Sequence, residues 1–198
     1  MDWREIKPLK EYESKNILQK YMASKGYEVE LIDHKTIKDI KSPDMLVKNA
    51  SGHVMFCEIK TLEHKLDEVT GEYKWDTAFN KIRKHIHKAS KQLNDYNTEH
   101  TIPWSVIFVS NHPQLCWVNC VDAIQGAVVR GNQIITDQTE KSHIGDSNKD
   151  ILNLDMIFWF QVNYMDRETI IEFKQFVNAG SRHLKLCEEI GDNLAKLY

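Results

Sequence analysis

The chain has 198 residues, 41% of them hydrophobic, enough to bury a core and most simply one domain. Its 26 Lys and Arg against 29 Asp and Glu give a formal net charge of -3, which excludes capture of a polyanion by overall charge and leaves that role to a local basic patch. No run approaches the roughly 20 apolar residues of a membrane span, and the scattered Cys57, Cys116, Cys120 and Cys187, with a charged start MDWREIKPLKEYESK, point to a soluble protein of a reducing, cytoplasmic compartment.

Ile17, Leu18, Tyr21, Met22 and Tyr27 recur at spacings near three and four, which predicts a first helix from Glu11 to Tyr27 with Gly26 where a C-cap belongs. Strands follow at YEVELI (27–32), DMLVK (44–48) and HVMFCEIK (53–60), the last two joined as a hairpin by the turn residues NASG. The polar stretch TLEHKLDEVTGEYKWD reads as a protruding loop or hairpin beside those strands, a candidate for substrate contact. A second helix, about Thr77 to Tyr96, carries the apolar stripe Phe79, Ile82, Ile86, Ala89 and Leu93, and WSVIFVS (104–110) has the composition of a central strand covered on both faces. Beyond it QLCWVNC and NQIITD read as short strands and TEKSHIGDSNKD as a polar loop. DRETIIEFKQFV and RHLKLCEEIGDNLAKLY read as two terminal helices separated by Ala179, Gly180 and Ser181. The expected fold class is α/β, with a mixed central sheet flanked by helices. Residues 1–150 form its core, and 151–198 a strand and helical extension packed on the same domain.

The hairpin raises the chemical question, because a buried-looking strand ends in two opposite charges. In VMFCEIK alternate side chains share a face, so Val54, Phe56, Glu58 and Lys60 lie together and Met55, Cys57 and Ile59 lie on the other side. With the turn at NASG, the start of the preceding strand lies beside the end of this one, and Asp44 and Glu58 converge. Two carboxylates with the backbone carbonyl of Ile59 make the incomplete, hard-oxygen set that Mg²⁺ or Mn²⁺ takes, and Lys60 beside them can orient or deprotonate a water. The alternative is a Glu58–Lys60 surface salt bridge next to an unrelated Asp44. On the second helix, at about 100° per residue, His85 and Lys81 lie about 20° and Lys88 and Tyr96 about 40° from Gln92, so the five form one stripe apart from the apolar one. With neighbouring Lys84 and Lys91, the stripe suits phosphates; the alternative is a solvated, lysine-rich face.

Pro43-Asp44 followed by Glu58-Ile59-Lys60 at the end of a hydrophobic strand resembles the PD-(D/E)XK nuclease superfamily, over roughly residues 11–110. The resemblance implies a restriction-endonuclease-like core in the order helix, three strands, helix, strand. It also implies a Mg²⁺-dependent or Mn²⁺-dependent phosphodiesterase with Asp44, Glu58 and Ile59 at the metal, and Lys60 and Gln92 as further catalytic groups. Glu13, in the first helix, matches the position where the family often has another acidic residue near the metal, and Glu11 competes with it for that role. Gln92-x-x-x-Tyr96 is similar to the QxxxY motif of the exonuclease-like branch, whose side chains lie beside the active site. SPDMLV, EIKT and IHKASKQL in this order also resemble, more loosely, the C-terminal nuclease domains of contact-dependent growth-inhibition toxins. The implied partner is nucleic acid, DNA preferred and RNA, transfer RNA included, open, with Lys81, Lys84, His85, Lys88 and Tyr96 as contacts. A double-strand cutter with one site per chain would commonly be a homodimer.

Other readings are weaker. His112, Cys116 and Cys120 have a spacing conceivable for zinc but lack a C-x2-C knuckle and a fourth ligand. The aromatic run MIFWFQVNYM reads as core or dimer interface before it reads as a base-stacking platform. The same fold without catalysis, as a nucleic-acid or protein binding module, is the rival to the nuclease. An acid–base enzyme on a small molecule has no G-x-G-x-x-G, P-loop or G-x-S-x-G to support it.

Overall fold

Helix α1 (Glu11–Ser24) starts where Glu13 turns its carboxylate back to accept the Lys10 backbone N–H at 2.7 Å, and it ends ahead of Gly26, whose φ of 83° only glycine adopts freely. In the computed structural model, which describes residues 6–32, 41–50, 52, 54–63, 75–96, 98–130, 133–137, 147–165 and 168–196, this helix leads into three antiparallel strands. They are β1 (Glu28–Leu31), β2 (Met45–Lys48) and β3 (Val54–Thr61), with Met45 opposite Cys57 and Lys48 opposite Val54. Gly52 donates its N–H to the Asn49 carbonyl at 3.0 Å with a φ of 81°, closing the expected hairpin. Helix α2 (Trp75–Tyr96) then carries the chain across the sheet to β4 (Trp104–Ser110), which pairs parallel with β3. The stretch 64–74, expected to protrude beside the strands, lies outside the described residues.

The remainder continues the same sheet. Helix α3 (Trp117–Gln125), the hairpin β5 (Ala127–Arg130) and β6 (Gln133–Asp137), and the short helix α4 (Ser147–Leu152) lead to β7 (Met156–Met165), parallel to β4. Strand β8 (Glu168–Val177) returns antiparallel to β7, and helix α5 (Leu184–Ala195) follows. The result is an α/β fold whose six-stranded mixed sheet, in the order β1-β2-β3-β4-β7-β8, is flanked by helices. Among the described residues no helix is long and apolar enough to cross a membrane.

Three expectations are corrected. QLCWVNC is not a strand: after a buried Leu115 it runs into α3, where Cys120 and Ala123 turn inward and Val118 is 50% exposed. The helix is started by Asn119 Oδ1 accepting the Cys116 N–H at 2.8 Å and stopped by Gly126 at a φ of 72°. DRETIIEFKQFV is not a helix but β8, because Ile171 and Phe173 pack inward while Glu172 and Lys174 face solvent, a period of two along an edge of the sheet. The tail of TEKSHIGDSNKD is helical in α4, and 138–146 lie outside the described residues.

Each face of the sheet has its own core. Met55, Cys57 and Ile59 of β3 and Ile107 and Val109 of β4 pack with α1 and α5, through Leu18, Met22, Ile190 and Leu194. Val106 and Phe108, with Ile157 and Trp159 of β7, pack with α2 and α3 through Phe79, Ile82, Ile86, Ala89 and Cys120. The Leu93 side chain lies outside the described residues. Phe158, Trp159 and Phe160 are fully buried, so these three rings of the aromatic run are core, while Tyr164 is 46% exposed. At the amino ends of β4 and β7, buried Asp155 accepts the Trp104 N–H at 2.9 Å and the Ser181 hydroxyl, and it meets His100 Nε2 at 2.6 Å. The sheet's edges are charged: Glu28 and Glu30 are exposed on β1, and Glu172 and Lys174 on β8.

Candidate active site

The opposite edge, at the carboxyl ends of β3 and β4, gathers the charges. Asp44 is fixed by its own main chain, whose N–H donates to the Cys57 carbonyl and whose carbonyl accepts the Ile32 N–H, both at 3.0 Å. Pairing with β2 ends there, and the Asp44 side chain replaces it: Oδ2 accepts the Ile59 N–H at 2.8 Å. Along β3 the N–H groups of Phe56 and Leu62 are given to Pro103 and Val109 on the β4 side. By alternation the Ile59 N–H and carbonyl both face the Asp44 side. Glu58, on the α2 face of the same strand, stands across from Asp44 by the β2–β3 register and lines the same cleft, so the two carboxylates do converge. They are 7% and 5% exposed, a burial that carboxylates tolerate only with partners.

Those partners come from both faces of the sheet. Lys60 Nζ donates to Glu58 Oε1, and Gln92 Nε2 of α2 donates to Glu58 Oε2 at 2.9 Å and to the Ser42 carbonyl at 2.8 Å. From α1, Lys15 Nζ lies 3.0 Å from Asp44 Oδ1 and 2.7 Å from Glu11 Oε1. Burial would raise Asp44, but the Ile59 N–H and the Lys15 and Lys60 ammonium groups outweigh it and hold this carboxyl below its ordinary range. Burial, and then the charge of Asp44, push Glu58 up in spite of Lys60. Lys15 is raised because Glu11 and Asp44 outweigh its burial. Cys57, on the opposite face of β3, is pushed up to about 12 by burial and is an inert core thiol.

A cleft of about 1320 Å³ opens over this cluster, and Asp44, Glu58, Ile59, Lys60, His85, Lys88 and Gln92 all line it. Lys41 and Lys91 add positive charge, and His87 lines it with Nδ1 held 2.9 Å from Asp150 of α4. His85 lies 6.4 Å from the Phe108 ring and is lowered to about 4, by burial first and then by Lys60, Lys81, Lys88 and Lys84, so it is neutral at physiological pH. Lys81 reaches past the helix to donate to the Glu63 carbonyl at 2.7 Å, and Lys84 is exposed on α2.

Of the expected members, Lys81, Lys84, Glu13 and Tyr96 do not line the cleft, and the last two serve elsewhere. Glu13 serves the α1 N-terminus by accepting the Lys10 N–H, while Glu11 lines the cleft. Tyr96 packs edge-on against Phe56, with ring centroids 5.3 Å apart, and stacks on Trp104 at 6.5 Å; its ring belongs to the core on the α2 side. Lys15 was not anticipated. Its signal is the Glu11-x-x-x-Lys15 spacing, which sets both side chains on one helix face.

The donor set suits a hard divalent cation: two adjoining carboxylates and the Ile59 carbonyl on the same side, all oxygen. Among the described residues no group of three or more His, Cys, Asp or Glu side chains is placed to share a metal ion, so His112, Cys116 and Cys120 form no such group. No family model matches the chain, and neither a curated protein nor a solved structure does.

Proposed function

We propose that the protein is a metal-dependent nuclease of the PD-(D/E)XK kind, with a restriction-endonuclease-like core from α1 to β4, hydrolysing phosphodiester bonds in DNA before RNA. The observation that carries this reading is the meeting of Asp44, Glu58 and Lys60 at the floor of a cleft whose α2 wall presents Lys88 and Lys91. Asp44, Glu58 and the Ile59 carbonyl would hold Mg²⁺ or Mn²⁺. Such an ion supplies Lewis-acid charge to the phosphate and acidifies a bound water.

The chain's own groups do the rest. Gln92 fixes Glu58 through Oε2 and ties it to the Ser42 main chain, so the carboxylate keeps one orientation. Lys60 Nζ, seated on Glu58 Oε1, donates to the attacking water and directs it at phosphorus. Lys41, Lys88 and Lys91 hold phosphates without reading bases, and neutral His85 adds a polar wall without charge.

The test is cleavage of single-stranded DNA, duplex DNA and transfer RNA with Mg²⁺ or Mn²⁺, comparing wild type with Glu58→Ala and Lys60→Ala. Metal-dependent cutting that both substitutions abolish is expected. No cutting of any substrate, or cutting that survives both substitutions, refutes the reading, and the transfer RNA arm decides for a toxin-like ribonuclease. A binding module is favoured by one observation: each carboxylate already carries an ammonium of the chain, Lys15 on Asp44 and Lys60 on Glu58. Nucleic-acid binding in EDTA without cleavage under any condition would select that reading.

A further inference from the structure

We propose that Lys15 is the built-in competitor for the cation position at Asp44: its ammonium holds Asp44 Oδ1 in the metal-free protein and yields that oxygen to a divalent cation by moving onto Glu11. The inference rests on the reading of Asp44 and Glu58 as cation ligands and assigns a role to a residue outside that set.

Asp44 has two oxygens, and Oδ2 accepts the Ile59 N–H at 2.8 Å. A cation approaching Asp44 therefore meets Oδ1, where Lys15 Nζ sits at 3.0 Å. Two positive charges on one carboxylate oxygen repel, so they hold it in alternation. The alternative seat for the ammonium already exists. Glu11 Oε1 lies 2.7 Å from the same nitrogen, one helical turn back, and its side chain is 68% exposed against 8% for Asp44. Transfer to Glu11 needs only rotation about the lysine's own torsions, with no movement of α1.

The arrangement differs from that at Glu58. Lys60 stands on the same strand as its partner, two residues on, and Gln92 steadies the other oxygen of that carboxylate. Lys15 instead comes from the helix on the opposite face of the sheet and is shared between a buried and an exposed carboxylate. A shared lysine of this kind keeps Asp44 charged and oriented before the cation arrives, and it sets the concentration at which the cation wins.

Isothermal titration calorimetry with Mg²⁺ and with Mn²⁺, on the full chain without nucleic acid, tests this on wild type, Lys15→Met and Glu11→Gln. Removing the competitor is expected to lower the dissociation constant about tenfold, as loss of a half-buried ion pair implies. Removing its alternative seat is expected to raise that constant about threefold. Opposite shifts are the signature, since a lysine that merely braced the fold would weaken binding in both variants or in neither. If wild type binds and Lys15→Met binds equally or more weakly, the inference is overturned and the cation reading stands. If neither wild type nor Lys15→Met takes up either ion, the cation reading fails and the inference with it. Binding by Lys15→Met alone supports the inference in its strongest form. Should Lys15→Met fail to fold by circular dichroism, the exposed Glu11→Gln carries the test, and unchanged or tighter binding there overturns the inference.

Discussion

Replacing His85 by Gln should make the protein less sensitive to mild acid. In the folded chain His85 is lowered from 6.5 to about 4, by burial beside Phe108 and then by Lys60, Lys81, Lys88 and Lys84, whereas unfolded it titrates normally. The unfolded state therefore binds a proton in a range where the folded state does not, and stability present above about pH 6.5 is lost as the pH falls toward about 4. The fall from 6.5 to about 4, at ~1.4 kcal/mol per pH unit, sets a ceiling of about 3 kcal/mol, of which about 2 kcal/mol is gone by about pH 5. Urea unfolding of wild type and His85→Gln at about pH 7.5 and about pH 5 measures the difference directly, because every other titrating group is common to both chains. The wild type should lose about 2 kcal/mol more than the variant over that interval. Equal losses would refute the reasoning, and would mean that His85 is hydrated and carries its charge among the lysines.

Gln92→Ala leaves the Ser42 carbonyl and Glu58 Oε2 without their amide; a loss of about 1–3 kcal/mol in urea unfolding is expected and, on the proposed nuclease reading, cleavage down at least about tenfold. Asp155→Ala strips the Trp104 N–H, His100 and the Ser181 hydroxyl of one buried acceptor and should cost about 3 kcal/mol, while the proposed Mg²⁺ binding, at the other end of the sheet, should be unchanged by calorimetry. Gly191→Ala places a methyl against the Gln175 side-chain amide, the far end of a flexible side chain that can turn aside, so the helix propensity of about 1 kcal/mol should show as a raised melting temperature.

The order from α1 to β4 was legible because each of its elements declares its own period: three to four in α1 and α2, two in β3, and continuous apolarity in β4, whose residues are all buried. Asp44, Glu58 and Lys60 were legible for a related reason, as charges on a strand that the core otherwise occupies. Gln92 came from the resemblance, and helix geometry set Lys81, His85 and Lys88 on one stripe with it. Helix geometry then failed for Tyr96, which stands only about 40° from Gln92. Phe56 projects on the same side of β3 as Glu58, and an aromatic ring finds that neighbour before it finds the cleft. Glu13 illustrates a rival use of the same chemistry, since a carboxylate at the third position of a helix is as apt for the helix's own N–H groups as for a metal. The period of β8 was ambiguous in isolation and was decided by β7, a partner that its own sequence does not announce. The Glu11-x-x-x-Lys15 spacing marks Lys15 on α1, but its contact with Asp44 ahead of β2 is one that no local pattern encodes.

The charged margins of the sheet bear on how two copies of this chain would meet. A continuous twelve-stranded sheet across a dimer would require β1 to align with β1, or β8 with β8, through bare main chain. At β1 the exposed Glu28 and Glu30 would be set against the same two carboxylates of a second copy, and at β8 Glu172 and Lys174 would be drawn in from water. Strand addition is thereby disfavoured at both margins.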